Sequence, residues 1–205
     1  MSAINDHGHP HDHEHDAPPS YYERLTTALQ ELLIERGLFA ADDVRQAIEK
    51  LESRTPANGA RVVARAWTDD AFKSRLLTDA GAAVRELGLD AGDAHLVVVE
   101  NTPDVHNVIV CTLCSCYPRG ILGLPPAWYK SKEYRSRVVR EPRAVLAEFG
   151  VTVPSDVKVR VHDSTANTRF LVLPMRPAGT DALDEAQLAA LVGRDAMVGT
   201  ALVSA

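Results

Sequence analysis

The sequence predicts an α+β domain that follows an N-terminal helical arm. Between residues 20 and 56, apolar residues recur at the spacing of one helix face. Beyond Gly92 the apolar period changes to that of strands, as in residues 96–100 and 157–161. Helical patterns return after these strands, and a cluster of strands between helices is typical of an α+β layered domain.

The predicted arm consists of two helices in residues 20–56. Ser20 and Glu23 form a capping box at the start of the first helix, and Gly37 suits its C-terminal end. The second helix is expected to stop before Pro56. The two helices carry an apolar stripe, which either packs on the chain's own core or contacts a partner.

The remaining elements are predicted from caps, breakers and periodicity. The dipeptide Asn58-Gly59 is typical of a turn, and the apolar residues 121–126 are expected to end in a rigid turn. Helices are expected at 60–67, 70–78, 79–87, 131–140 and 142–149, with a last one after the capping box of Asp184 and Gln187. Strands are expected at 96–100, 108–110, 157–161 and 170–173.

Length, charge and cysteine usage limit the classes to which the protein can belong. A chain of 205 residues is long enough for one sizeable core. The net charge of −6 and the lack of a basic cluster argue against nucleic acid as a partner. No apolar run approaches the roughly 20 residues of a membrane-spanning helix, and the polar N-terminus predicts no secretory signal. Three clustered cysteines fit a reducing cytoplasm.

Residues 1–19 form a low-complexity leader that we expect to be disordered. Histidines alternate there with Gly, Pro, Asp and Glu; they are His7, His9, His11, His13 and His15. The leader is either a solvated or tag-derived segment, or a weak site that captures divalent cations and helps to load a metal centre.

All three cysteines lie close together, at positions 111, 114 and 116, directly after the predicted strand 108–110. A disulfide within so short a loop would remove little chain entropy. A zinc site would need a fourth ligand from elsewhere, for example His106. In a third arrangement, a claw, the three sulfurs and the main-chain nitrogens of Ser115 and Cys116 converge on one metal ion.

The claw arrangement would suit catalysis by a metal ion. Its five ligands leave one octahedral position open, as a catalytic Lewis acid requires. Sulfur and amide nitrogen suit a late transition metal rather than magnesium or calcium. A redox-active dithiol and an inert buried cluster remain the alternatives to a metal site.

Several other polar residues have structural interpretations. A helical basic stripe, expected to face solvent or another subunit, comprises Arg135, Arg137, Arg140 and Arg143. His106 and His162 are expected to be structural, and Trp67 to lie in the core. Asp163 and Arg169 lie at a strand edge that is expected to approach the cysteine loop.

Two long motifs surround the cysteines. Val-Cys-Thr-Leu-Cys-Ser-Cys-Tyr begins at residue 110 and Leu-Gly-Leu-Pro-Pro-Ala-Trp-Tyr-Lys at residue 122. They resemble the alpha subunit of nitrile hydratase, whose family includes the cysteine-bearing subunit of thiocyanate hydrolase. The resemblance continues through residues 64–69, 134–143 and 173–181. It implies a four-layer α-β-β-α metal-binding domain over residues 57–205, with the claw at the partner-facing surface.

The resemblance implies one non-corrin Co(III) ion per chain. Its ligands would be the sulfurs of Cys111, Cys114 and Cys116 and the amide nitrogens of Ser115 and Cys116. Cys114 is then expected as sulfinate and Cys116 as sulfenate. Iron is less favoured, because Thr112 matches the cobalt-type motif, whereas the iron-type motif has serine at that position. Cys114, Ser115 and Cys116 form the expected catalytic set.

The resemblance implies hydration of a nitrile to the corresponding amide, or alternatively hydrolysis of thiocyanate to carbonyl sulfide and ammonia. Arg119 stands where the common nitrile hydratase pattern has tryptophan. A guanidinium near the open metal position favours an anion, although Arg119 would also accommodate a polar nitrile or form an interface salt bridge. Arg119, Tyr117 and Thr112 make up the expected substrate pocket.

The resemblance also implies partner chains. A beta subunit, single or split in two, is expected to supply half of the active site in an αβ, α2β2 or larger assembly, and the helical arm would embrace it. An activator or metallochaperone is a further possible partner. Without its partner, the chain would be an inert metal-binding subunit.

Overall fold

The computed structural model describes residues 18–205. The predicted disordered leader lies outside the described residues, except for Pro18 and Pro19, which are exposed and form no regular structure. The chain divides into two compact units, one ending at Glu49 and the other comprising Lys50–Ala205.

Helices and strands alternate in clusters along the described residues. The helices are α1 (Tyr21–Glu35), α2 (Ala41–Glu52), α3 (Pro56–Thr68), α4 (Asp70–Thr78), α5 (Ala80–Glu86), α6 (Arg119–Leu122), α7 (Ala127–Lys130), α8 (Lys132–Arg137), α9 (Pro142–Glu148), α10 (Glu185–Leu191) and α11 (Arg194–Val198). The strands are β1 (His95–Glu100), β2 (Val105–Val110), β3 (Lys158–Asp163) and β4 (Thr168–Leu173).

The first unit begins with the predicted capping box. The Ser20 main-chain nitrogen donates to Glu23 Oε2 at 2.6 Å, and the Glu23 nitrogen donates to Ser20 Oγ at 3.3 Å. After α1 the chain turns at Gly37, where φ is 66°. No residue of α1 is buried, and Leu25 and Leu29 are 51% and 53% exposed. The apolar stripe of this helix is therefore largely exposed.

The predicted turn at Asn58-Gly59 is wrong, because both residues lie inside α3. Pro56 occupies the first turn of this helix, where its fixed φ and missing N–H are tolerated. Gly59 is needed for packing: a Cβ there would lie 2.5 Å from Leu122 Cδ2 and 2.6 Å from Met197 Sδ. Close helix packing thus overrides the local turn preference of the dipeptide.

Four strands form two separate parallel pairs. β1 pairs with β4, and β2 pairs with β3, with Val110 opposite Asp163 at the end of the second pair. All residues of β2 after Val105 are buried, as is common for a strand covered on both faces. The predicted α+β class is confirmed. Because the strands of each pair are parallel, the loops that follow them meet at the same end of the sheet.

Helices cover the two sheets on opposite sides. α4 and α5 contact β1, β4 contacts β2 of the other sheet, and α9 contacts β3. This order of helix, sheet, sheet and helix is the predicted α-β-β-α layering. One hydrophobic core joins the layers and includes Phe72, Ile109, Leu146 and Leu171.

Three short helices differ from the sequence prediction. α6 extends into residues 121–126, which are predicted as an apolar run that ends in a turn, α7 follows directly after these residues, and α11 lies close to the C-terminal end. Helices of four or five residues carry too few apolar repeats for a period to be recognised. Within residues 18–205, every helix is too short or too polar to span a lipid bilayer.

Gly199 directly follows α11 and contacts β2, the strand that leads to the cysteines. It adopts a left-handed conformation with φ of 91°, and its carbonyl oxygen lies 2.7 Å from His106 Nε2. A Cβ at this position would overlap the main-chain oxygen of Asn107 and lie 2.8 Å from Val108 Cα. The turn after α11 therefore needs glycine for both conformation and space.

Replacing Gly199 by alanine is expected to lower the free energy of unfolding by about 3 kcal/mol or more, because left-handed strain adds to steric overlap. Gly150 is the matched control, since its φ is 82° and a Cβ there would meet no neighbouring atom within 4 Å. Gly150→Ala should cost only about 1–2 kcal/mol. Urea denaturation measures both values, and equal losses would contradict the packing argument.

Candidate metal centre

The three cysteines lie on the loop that follows β2. The strand ends in fully buried apolar residues, and Cys111 is buried, Cys116 half-buried and Cys114 exposed. Cys114 Sγ lies 3.4 Å from Cys111 Sγ and 3.2 Å from Cys116 Sγ. All three sulfurs lie within 4.8 Å of one another. A rigid strand therefore delivers three sulfur atoms to one small partly exposed site.

The Cys111–Cys114 and Cys114–Cys116 sulfur distances fit an octahedral ion better than a tetrahedral one. With metal–sulfur bonds of about 2.3 Å, adjacent ligands would lie about 3.3 Å apart in an octahedron and about 3.8 Å apart in a tetrahedron. Hydrogen bonds from the main-chain N–H groups of Ser115 and Cys116 contribute to the lowered pKa of Cys114. Sulfur together with amide nitrogen is a donor set that fits a late transition metal.

A zinc site completed by His106 does not fit the structure. The His106 ring is buried, and its Nε2 lies 2.7 Å from the Gly199 carbonyl oxygen. Burial lowers the pKa of His106, and burial likewise lowers that of His162, whose Nε2 lies 2.8 Å from Asn107 Oδ1. Both histidines hold main-chain or amide groups in place. Among the described residues, the cluster of close metal-ligand side chains contains only cysteines.

The thiols differ in acidity because their surroundings differ. Hydrogen bonds from the Cys116 thiol and then from the Ser115 N–H lower the pKa of Cys114 to about 7. Burial raises the pKa of Cys116, and its contact with Cys114 raises it further. Cys114 therefore ionises before Cys116, and the thiolate is the form that binds a metal.

Asp163 fixes the first residue of the loop after Cys111. Its carboxylate accepts a hydrogen bond from the Thr112 main-chain nitrogen at 2.9 Å and from Thr112 Oγ1 at 2.6 Å. The contact follows from the parallel register, which places Asp163 opposite Val110 at the end of the sheet. The prediction that Asp163 approaches the cysteine loop is thus confirmed.

Two short helices hold the main-chain oxygens of the loop region. From α7, Tyr129 donates its hydroxyl to the Cys116 oxygen at 2.8 Å. From α8, Arg135 Nη1 donates to the Cys114 oxygen at 2.7 Å. Tyr134 of the same helix donates to the Ile109 oxygen at 2.6 Å. The backbone around the sulfurs is thus fixed from outside the loop.

The sequence matches the family model described as nitrile hydratase, alpha chain, over residues 20–201. The chain belongs to the nitrile hydratase alpha-chain family. It is 51% identical over 177 residues to the low-molecular weight cobalt-containing nitrile hydratase subunit alpha of Rhodococcus rhodochrous, covering 85% of this chain and 86% of that one. It is 44% identical over 195 residues to the thiocyanate hydrolase subunit gamma of Thiobacillus thioparus, covering 89% of this chain and 80% of that one.

Solved structures with the same fold represent both enzyme types. A recombinant thiocyanate hydrolase with partially modified cobalt centres has a TM-score of 0.81 and 42% identity, over 91% of this chain and 94% of that chain. A double mutant of the Fe-type nitrile hydratase from Comamonas testosteroni Ni1 has a TM-score of 0.79 and 45% identity, over 90% and 91%. The predicted family and fold are therefore confirmed, while the relatives differ in substrate and metal.

The expected basic stripe is not a uniform solvent-facing surface in this family member. Arg137 pairs with Glu141 and Glu148, both at 2.6 Å. Arg143 donates to the Val153 oxygen at 2.9 Å and to other oxygens of the same loop. The role of Arg135 at the cysteine loop was missed, because its spacing within the stripe does not distinguish it from the other arginines.

The other predicted pocket residues take different positions. Thr112 is exposed but has its hydroxyl bound to Asp163. Tyr117 is buried at 2% exposure, and its hydroxyl has no hydrogen-bond partner among the described residues. Burial raises the pKa of Tyr117, so this hydroxyl stays protonated at neutral pH. Ser115 is half-buried between the two outer cysteines.

Arg119 lies in a polar cleft of about 540 Å³ beside the loop. Tyr117 and Arg169 also line this cleft. Within residues 50–205, no carboxylate oxygen lies within salt-bridge distance of the Arg119 guanidinium, whereas Asp90 in the same cleft is paired with Lys50 at 3.4 Å. The cleft therefore offers arginine side chains to an incoming polar group.

Iodoacetamide is expected to label Cys114 before Cys116 in the metal-free full chain. The rate at Cys114 should rise as the pH increases through about 7, because the reactive thiolate forms there. Peptide mass spectrometry after short labelling at several pH values would assign the order. Earlier labelling of Cys116 would contradict the assigned acidities, and labelling after denaturation with urea gives the reference rates.

Proposed function

We propose that this chain is the metal-binding alpha subunit of a nitrile hydratase, which hydrates a nitrile to the corresponding amide. The observation that carries the proposal is the geometry of the cysteine loop. Cys114 Sγ lies at the spacing of adjacent octahedral ligands from both Cys111 Sγ and Cys116 Sγ, and hydrogen bonds from two main-chain N–H groups help to lower the pKa of Cys114. Membership of the nitrile hydratase alpha-chain family supports the reaction type.

The residues that would hold the metal are Cys111, Cys114 and Cys116 through sulfur and Ser115 and Cys116 through the amide nitrogen. We favour Co(III) over iron for two reasons. Thr112 matches the cobalt-type motif, whereas the iron-type motif has serine at this position. Two cobalt-containing relatives are 51% and 50% identical to this chain. When bound, such an ion supplies Lewis acidity toward the nitrile nitrogen.

The chain's own residues would position and tune this centre. Asp163 holds Thr112, and Tyr129 and Arg135 hold main-chain oxygens, so the sulfurs keep their spacing. We expect Cys114 as sulfinate and Cys116 as sulfenate, two rungs of the thiol oxidation ladder. The Cys116 sulfenate would bring an oxygen nucleophile to the catalytic site, with Ser115 as the ligand between the two oxidised sulfurs.

A beta subunit, single or split, is expected to complete the site in an αβ, α2β2 or larger assembly. Leu113 at the tip of the cysteine loop is 90% exposed, and a partner chain that covers the loop would bury it. The exposed stripe of α1 would add a second contact. An activator or metallochaperone would insert the metal.

Hydrolysis of thiocyanate is the second candidate function. The cleft beside the loop supports it, because Arg119 and Arg169 line a polar space next to the half-buried Cys116. A guanidinium binds a small anion better than an apolar nitrile. The 44% identity to a thiocyanate hydrolase gamma subunit also supports this candidate.

Co-expression with the adjacent partner genes in cobalt medium would test the proposal. The purified complex is expected to convert an aliphatic nitrile such as propionitrile to its amide faster than it consumes thiocyanate. A Cys116→Ser complex should lose this activity because the sulfenate cannot form. Dominant thiocyanate turnover would favour the second candidate, and turnover of neither substrate by a cobalt-loaded complex would contradict both.

Arg119→Trp is expected to raise the KM of the complex for thiocyanate by about tenfold or more, the effect of losing a hydrogen bond to a charged group. The KM for propionitrile should change less, because a neutral nitrile does not need the charge. Arg119→Lys is the control that keeps the charge. An unchanged thiocyanate KM in the tryptophan variant would show that Arg119 does not contact the anion.

A further inference from the structure

Arg135 makes an unusual contact with the cysteine loop. Its Nη1 donates to the main-chain oxygen of Cys114 at 2.7 Å. This oxygen and the nitrogen of Ser115 belong to one peptide group, in which electrons are shared between the C=O and C–N bonds. A charge placed at the oxygen therefore acts directly on the Ser115 nitrogen.

The charge of Arg135 is available for this contact. Within residues 50–205, no carboxylate oxygen lies within 4 Å of its guanidinium nitrogens, whereas Arg137 on the same helix is paired with Glu141 and Glu148. Arg135 as a whole is half-buried. Its hydrogen bond to Cys114 is thus a charge-assisted bond.

The helix α8, which carries Arg135, is itself held in place by hydrogen bonds and aromatic packing. Ser131 caps it through the Tyr134 nitrogen at 3.1 Å, and the Tyr134 hydroxyl is bonded to the Ile109 oxygen. Trp128 and Phe149 pack edge-on against Tyr134, with ring centroids 4.9 Å and 6.1 Å away. The helix that carries the guanidinium is therefore held by aromatic packing around the buried Tyr134.

We propose that Arg135 is a positioning residue for the Ser115 amide ligand. It turns the Cys114–Ser115 peptide so that its oxygen faces the guanidinium and its nitrogen faces the sulfurs. It also stabilises the negative charge that a metal-bound amide nitrogen shares with its carbonyl oxygen. This role rests on the proposed function, because it requires a metal at the cysteine loop.

Arg135→Gln, Arg135→Lys and Arg140→Gln in the full cobalt-loaded complex would test the role. Arg140, in the turn after α8, is the matched control, since its Nε donates to the main-chain oxygen of Ser136 at 2.9 Å and not to the cysteine loop. The readouts are cobalt per chain after dialysis against a chelator, the sulfur-to-cobalt charge-transfer absorption, and the melting temperature of the metal-free chain.

Arg135→Gln is expected to retain about tenfold less cobalt, the effect of one hydrogen bond to a charged group, and to shift the charge-transfer band. Arg135→Lys should recover most of the cobalt because it keeps the charge, but with a band still different from that of the parent. Arg140→Gln should match the parent in both readouts. Melting temperatures of the metal-free chains should agree among all four proteins.

Cobalt retention and a band in Arg135→Gln equal to those of the parent would overturn the inference. If Arg135→Gln melts early, the comparison passes to Arg135→Lys, and a lysine variant that is stable and has an unchanged band would also overturn it. Absence of cobalt from both the parent and Arg140→Gln complexes would instead contradict the proposed function.

Discussion

The spacing of the three sulfurs depends on hydrogen bonds to the backbone of the cysteine loop. A loop that directs several sulfurs at one point lacks the regular hydrogen bonds of a helix or strand, so other elements must satisfy its polar groups. Tyr129 and Arg135 hold the oxygens of Cys116 and Cys114. Asp163 holds the loop at its start. The chain thereby prearranges the donor atoms and lowers the entropic cost of collecting them around an ion.

The site has a buried base and an exposed face, and each has a physical role. Cys111 is buried at 1% exposure at the end of a fully covered strand, which limits its movement. Cys114 is exposed and has a lowered pKa, so it is the thiol most open to oxidants and metals. An exposed catalytic centre needs cover to exclude water. The apolar tip at Leu113 fits the proposal that a second subunit provides this cover.

Much of the fold was predictable because its signals are local. The capping box of Ser20 and Glu23 formed as predicted, since both residues lie within one helical turn. The four strands also appeared where periodicity placed them, within a few residues. Asn58-Gly59 was predicted wrongly, because a preference of about 1 kcal/mol for a turn is smaller than the gain from close packing of α3 against Leu122.

The sequence by itself determined the family, the layered α+β class and the cluster of three cysteines, because motif spacing and helix caps act over a few residues. Only the tertiary structure decided that the strands pair in parallel, which brings Asp163 to Thr112 across 51 positions of the chain. It also decided that Arg135, among several similar arginines, reaches the Cys114 oxygen. Such contacts depend on strand register and on helix orientation. Both are set by packing between distant parts of the chain, and residue type alone does not specify them.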